Sequence, residues 1–298
     1  MHYESKILNV KLRRAKIHYV PDVVYKQAPT FEKPNQLLQM DLLIPETGKK
    51  MAAVIFITGG GFICSNRARC PQLRLHLAEN NFVVASINYR TTPNNIFPAP
   101  IEDVKSAIRF LKANAQKFSV DAEQIFLIGD SAGGYLTAFA AVTNGDEIFN
   151  VGENLDRSSK IVAAVDLYGV SDPARISDDL SEEAKALNNM PGAVEAMFIN
   201  GVPNFTGTGG GISAYPEKVA KANPLNYITK NSAPMLLMHG TADSIVSPSQ
   251  SDILFQALKN AGVEAERWLI PNAEHSDDYW VQDEVLNLIT EYFNRYRK

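Results

Sequence analysis

The stretch Ile125-Phe-Leu-Ile-Gly129-Asp130-Ser131-Ala132-Gly133-Gly134-Tyr135-Leu136 constrains this chain more than any other. Four apolar residues run into Gly-x-Ser-x-Gly, and a small-residue helical run follows. The pattern predicts a buried strand that turns sharply into a helix, with Ser131 at the apex. Gly129 and Gly133 leave room where strand and helix approach. Such a turn strains the serine backbone and pushes its hydroxyl out of the sheet. The amide of Ala132 opens the helix and points near the same spot. Gly-x-Ser-x-Gly is common by chance, so its placement between strand and helix carries the information.

A serine hydroxyl is a poor nucleophile. It needs a base to take its proton, a group to orient that base, and donors for the oxyanion that forms. The chain offers these in the order serine, acid, histidine. His275, in Pro271-Asn-Ala-Glu-His275-Ser, follows a strand and precedes the last helix, at the edge where open α/β sheets bind ligands. Of the five histidines, His2 is terminal, His18 lies in the N-terminal strands and His76 inside a helix. His239 is the one rival, and its place at a strand end reads as a packed histidine. Asp243, in His239-Gly-Thr-Ala-Asp243, sits just past a strand and is the candidate acid. Its alternative role is an Asx-type turn. Asp277 and Asp278 are nearer His275 in sequence but stand where a helix N-terminus needs acids.

Strand and helix patterns alternate around these residues. Strands are expected at 37–44, 52–58, 82–88, 125–128, 161–167, 234–239 and 264–269. Helices are expected at 72–79, 101–117, 131–143, 249–261 and 278–296. Pro98 and Pro100 are read as blocking an earlier start for the second helix. The alternation predicts an α/β fold: one domain over 1–298 with a mostly parallel central sheet and helices on both faces. Residues from about 171 to 223 break the pattern with Pro173, Pro191, Pro203 and Gly207–Gly211. Because Met190, Met197, Phe198, Ile199 and Phe205 lie there, the segment reads as a lid-like insertion. Its glycine run reads as a flexible connector.

Composition narrows the partners. The 298 residues carry a formal charge of −4, and the densest basic run, Lys11–Lys16, reads as a solvated strand face. A nucleic-acid binder would concentrate basic residues on one face, so no nucleic-acid partner is expected. Two cysteines, Cys64 and Cys70, are too few for a disulfide framework, and no Cys/His grouping has zinc spacing. They read as reduced thiols near a loop, and no metal or cofactor is expected. No apolar signal region opens the chain and no run of 18 apolar residues occurs, so a cytoplasmic protein without a membrane partner is expected. A signal peptide removed beforehand leaves no trace here. Oligomeric state is not legible, and a homodimer stays open because dimers are the commonest homo-oligomers.

Taken with Thr58-Gly59-Gly60-Gly61-Phe62, Asn88-Tyr89-Arg90, Phe97-Pro98-Ala99 and Glu102-Asp103-Val104, the Gly129–Gly134 motif resembles the α/β-hydrolase superfamily. Within it, the resemblance is to the hormone-sensitive-lipase-like and small bacterial carboxylesterases, from about residue 37 to the C-terminus apart from the insertion. The resemblance implies Ser131, Asp243 and His275 as a catalytic triad and the amides of Gly60, Gly61 and Ala132 as the oxyanion hole. It also implies a structural Arg90–Asp103 pair. One departure is that Thr58 stands where the family loop has histidine. The implied activity is hydrolysis of short-chain carboxylic esters, small-molecule substrates among which acetylated or cinnamoylated carbohydrates belong. Two alternatives are an amidase, formamidase or peptidase using the same triad, and a non-catalytic binding protein of this fold.

Overall fold

The computed structural model describes residues 5–30 and 33–298; His2 lies outside them. Eight strands form one sheet: β1 (Ile17–Ala28), β2 (Gln36–Pro45), β3 (Met51–Ile57), β4 (Val83–Ile87), β5 (Val120–Asp130), β6 (Ala164–Leu167), β7 (Met235–Gly240) and β8 (Ala265–Ile270). Their order is β1-β2-β4-β3-β5-β6-β7-β8. The β1–β2 and β2–β4 pairs are antiparallel, and every later pair is parallel. This is the α/β-hydrolase architecture that the motifs imply.

Every residue of β3 is buried because both faces of the sheet are covered. Ala53, Ile55 and Ile57 join one core and Ala52, Val54 and Phe56 the other, as the two-residue period of a strand dictates. The first core is closed by helices α2 (Ala99–Ala113), α3 (Ala132–Val142) and α7 (Ser249–Asn260), the second by α1 (Pro71–Glu79) and α8 (Asp283–Tyr296).

Five expectations need correction, the fifth of them in the insertion described below. Helix α2 begins at Ala99, because Pro100 falls in the first turn, where a missing N–H costs nothing. β5 starts at Val120, five residues before its apolar run, with Asp121, Glu123 and Gln124 hiding the early part. The last helix is two pieces, a 3₁₀ turn at Asp278–Val281 and then α8, separated by Gln282 in extended conformation. Residues 11–16 are solvated coil ahead of β1, with Arg14 pairing to Glu79 at 2.8 Å.

The insertion carries short helices α4 (Glu182–Asn188), α5 (Val194–Asn200) and α6 (Pro216–Lys221). None of the α4 residues is buried. Helix α5, by contrast, is locked down. Phe198 stacks on Phe62 at 4.1 Å and meets Tyr135 edge-on at 5.6 Å, and its carbonyl accepts from the Phe97 amide at 2.9 Å. The glycine run is also tied: the Thr208 and Gly209 amides donate to the Asn200 carbonyl, and Asn200 Nδ2 donates to that of Gly211 at 2.8 Å. It is a packed loop, not a flexible connector.

Asp166 is the next-to-last residue of β6, beside the start of α3. One of its oxygens accepts from the Gly169 amide at 2.9 Å; the other has no partner among the described residues. Burial pushes its carboxyl up to about 7. The fold therefore holds the proton more tightly than the unfolded chain does. Stability from this group is complete below the ordinary carboxylate range and declines as pH rises through about 7. Asp166→Asn, which cannot titrate, is expected to gain about 2–3 kcal/mol on the wild type between pH 5 and pH 8. Urea midpoints at the two pH values check this, and a pH-independent difference would contradict it.

Candidate active site

Ser131 sits where β5 becomes α3, with φ 53° and ψ −119°. This left-handed strain costs a non-glycine residue about 1–3 kcal/mol and is held by its surroundings. The Ser131 amide donates to the Leu167 carbonyl at 2.9 Å, and its own carbonyl accepts from the Tyr135 amide at 3.0 Å. The flanking glycines are obligatory. A Cβ on Gly129 would lie 2.2 Å from the Gly133 carbonyl oxygen, and one on Gly133 would lie 1.9 Å from that of Ile57. The close strand–helix approach read from the sequence is present.

His275 arrives on the loop after β8. Its Nε2 is 2.9 Å from Ser131 Oγ, and its Nδ1 is 2.7 Å from Asp243 Oδ2. With the proton on Nδ1 the ring donates to Asp243, and Nε2 is free to accept from the serine hydroxyl. The three candidates, far apart in sequence, are thus brought together at the C-terminal edge of the parallel strands.

The geometry of Asp243 is compatible with both of its readings. Oδ1 accepts from the amides of Ile245 and Val246 at 3.0 and 2.9 Å, which is an Asx-type turn, while Oδ2 faces His275. Burial pushes this carboxyl up, but bonds from His239 and His275, with the Val246 amide, outweigh it and hold it well below the usual carboxylate range. His239 is packed, as expected, being fully buried with Nε2 3.1 Å from the Val246 carbonyl. It also comes within 3.3 Å of Asp243 Oδ2, a contact its strand-end position did not announce. Asp277 caps the turn after His275, accepting from the Glu274 and Tyr279 amides.

The glycine loop follows β3. The Gly59 amide is committed, donating to Asp130 Oδ1 at 2.7 Å, which leaves Gly60 and Gly61 to face the cleft together with Ala132. Gly60 and Gly61 have φ 144° and 57°, conformations suited to glycine. Where the family histidine would stand, Thr58 is buried; its hydroxyl donates to the Gly59 carbonyl at 3.1 Å, and its own carbonyl accepts from Tyr89.

A cleft of about 240 Å³ joins these groups, walled by Phe62, Val170, Val194, Ile245 and Val246 and by two charged residues, Arg69 and Glu195. Sequence reading missed Arg69 and Glu195, and it missed the aromatic clamp on the histidine. Tyr168 meets the His275 ring edge-on at 4.7 Å, Trp280 packs on Tyr168 at 4.3 Å, and Trp280 Nε1 donates to the Glu274 carbonyl at 3.0 Å. Behind the site, Asp103 accepts from Arg90 and Lys26 as a structural cluster. Cys64 and Cys70 are free thiols. Among the described residues no helix is long and apolar enough to cross a membrane.

Known proteins resemble this chain in sequence and in fold. The probable carboxylic ester hydrolase LipM of Mycobacterium tuberculosis is 32% identical over 76% of this chain and 50% of its own length. Esterase LipC of the same organism is 28% identical over 83% of this chain and 58% of its own. The chain thus spans little more than half the length of these curated relatives. Among solved structures, a truncated carbohydrate esterase from gut microbiota superimposes with a TM-score of 0.80 at 29% identity, covering 94% of this chain and 96% of that one. The BD-FAE family profile matches residues 40–258, the span that holds the glycine loop, the Ser131 turn and Asp243, and the chain belongs to that family, on the carboxylesterase side of the α/β-hydrolases.

Proposed function

We propose that this chain is a serine hydrolase of short-chain carboxylic esters. The observation that carries the reading is the continuous path from Ser131 Oγ to His275 Nε2 at 2.9 Å and from His275 Nδ1 to Asp243 Oδ2 at 2.7 Å, at the wall of an open cleft. Ser131 attacks the ester carbonyl as His275 takes its proton. Asp243 keeps the imidazole in the required tautomer and stabilises the imidazolium. The amides of Gly60, Gly61 and Ala132 receive the oxyanion. His275 then protonates the departing alcohol, and water releases the acid from Ser131 by the same route in reverse.

The esterase names of the relatives support this choice of bond over an amide. The carbohydrate esterase among the solved structures supports a sugar ester as substrate. The insertion acts in this reading as a wall of the substrate cleft through α5. At about 240 Å³ the cleft is smaller than the ~300–1,000 Å³ typical of pockets for drug-sized ligands, which favours acetyl over cinnamoyl groups. A p-nitrophenyl ester series from two to twelve carbons is expected to peak at two to four. By eight carbons kcat/KM should have fallen at least about tenfold, since a methylene without a place costs ~1–3 kcal/mol. A flat profile, or no turnover of any ester beside hydrolysis of the matching anilide, would overturn the proposal.

A further inference from the structure

The cleft carries a charged group that the triad chemistry does not use. Glu195 lines it with Ser131, His275 and Gly61, yet comes from the insertion, on α5. The residue is only 9% exposed. No cation lies within ion-pair distance of its carboxylate among the described residues, and no side chain donates to it. Burial raises its carboxyl, with its own backbone amide the sole opposing influence. Its one hydrogen bond within the protein is from its own backbone amide, and the carboxylate keeps further acceptor positions at the cleft for a donor on a bound molecule.

Its position is fixed. Phe198, one turn along α5, stacks on Phe62 of the glycine loop, and Val194 lies 3.7 Å from where a Cβ on Gly61 would be. The turn of α5 that carries Glu195 therefore has a set place beside the glycine loop. Arg69 is the other charged group of the cleft; it holds Ser276 Oγ at 3.4 Å and Asp130 at 3.6 Å, and not Glu195. The remaining walls are apolar and suit a small acyl group.

We infer that Glu195 is a specificity-determining residue that accepts hydrogen bonds from hydroxyl groups on the alcohol portion of the substrate, so that esters of polyhydroxylated alcohols are favoured over esters of plain alkyl alcohols. The inference rests on the esterase reading above and names what its leaving group must carry. A hydroxyl beside the scissile ester donates to those acceptor positions, whereas an alkyl chain there displaces cleft water from the carboxylate and returns no donor. A site built for a hydroxyl rejects the analogue lacking it for this reason.

The test compares glycerol 1-acetate with propyl acetate, which share the acyl group and the three-carbon frame. For the wild type, kcat/KM is expected to favour glycerol 1-acetate by about tenfold or more, the range of a hydrogen bond to a charged acceptor. In Glu195→Leu the ratio should fall close to one; Glu195→Gln, which keeps one acceptor oxygen, should lie between. Because the ratio is taken within one preparation, a partly unfolded variant does not disturb it. A wild-type ratio near one, or a ratio unchanged in Glu195→Leu, overturns the inference and leaves the esterase reading standing. Hydrolysis of neither ester by the wild type brings down the esterase reading and the inference with it.

Discussion

Ser131→Ala is expected to lower ester turnover about 10⁶-fold, as loss of the nucleophile does in enzymes whose triad acts as a unit. The residual rate comes from the oxyanion donors and substrate binding, which the substitution leaves in place. Stability should not suffer, because Ser131 holds its strained φ of 53° through backbone bonds to Leu167 and Tyr135 that alanine retains. Turnover of p-nitrophenyl acetate, followed beside a urea melt, checks both halves. A variant keeping more than a tenth of wild-type turnover would remove Ser131 from the chemistry.

The largest expected effect on stability lies away from the reacting atoms. Asp103 is completely buried and holds two cations: Lys26 Nζ at 2.6 Å and the Arg90 guanidinium through Nε at 2.9 Å and Nη2 at 2.8 Å. Its carboxylate also accepts from the Arg90 amide at 2.9 Å. The cluster ties β1, the segment after β4 and α2 together. Asp103→Ala leaves Lys26 without its counterion and Arg90 with Glu102 alone, and breaking a buried pair from one side costs about 3–5 kcal/mol. The urea midpoint should drop accordingly. A loss below about 1 kcal/mol, the worth of an exposed pair, would show that water reaches the cluster.

What could be read from sequence follows from how the physics is encoded. The strands of the sheet centre were legible because covering both faces demands uninterrupted apolar runs, as in Met51–Ile57. The Ser131 turn was legible because its strand–turn–helix pattern is local and Gly129 is demanded by the Gly133 backbone four residues on, although Gly133 itself answers to Ile57 on the neighbouring strand. The order of serine, acid and histidine marked Asp243 and His275, since each follows a strand whose neighbours are set by the fold.

Features made by distant partners were not legible. Phe198 looks like one apolar residue among several until Phe62 is placed beneath it, and that contact turns α5 from a loose cover into a wall of the cleft. Glu195 gives no local sign of burial, because a glutamate in the first turn of a short helix is ordinarily solvated. Tyr168 meets His275 from the segment after β6, with Trp280 of the 3₁₀ turn packed behind it, and neither belongs to a motif. His239 was judged by its own position as a packed residue, which it is. That packing also sets it against Asp243, a consequence of the tight β7 turn that only the coordinates display.

The central claim is that Ser131, activated by His275 and Asp243, is a working nucleophile. The most direct measurement is intact-protein and peptide mass spectrometry after treatment with an aryl fluorophosphonate. One adduct per chain, on the peptide holding Ser131, is predicted, with labelling slowed by orders of magnitude in His275→Ala. An unlabelled wild-type protein, or an adduct on another residue with Ser131 untouched, would contradict the account.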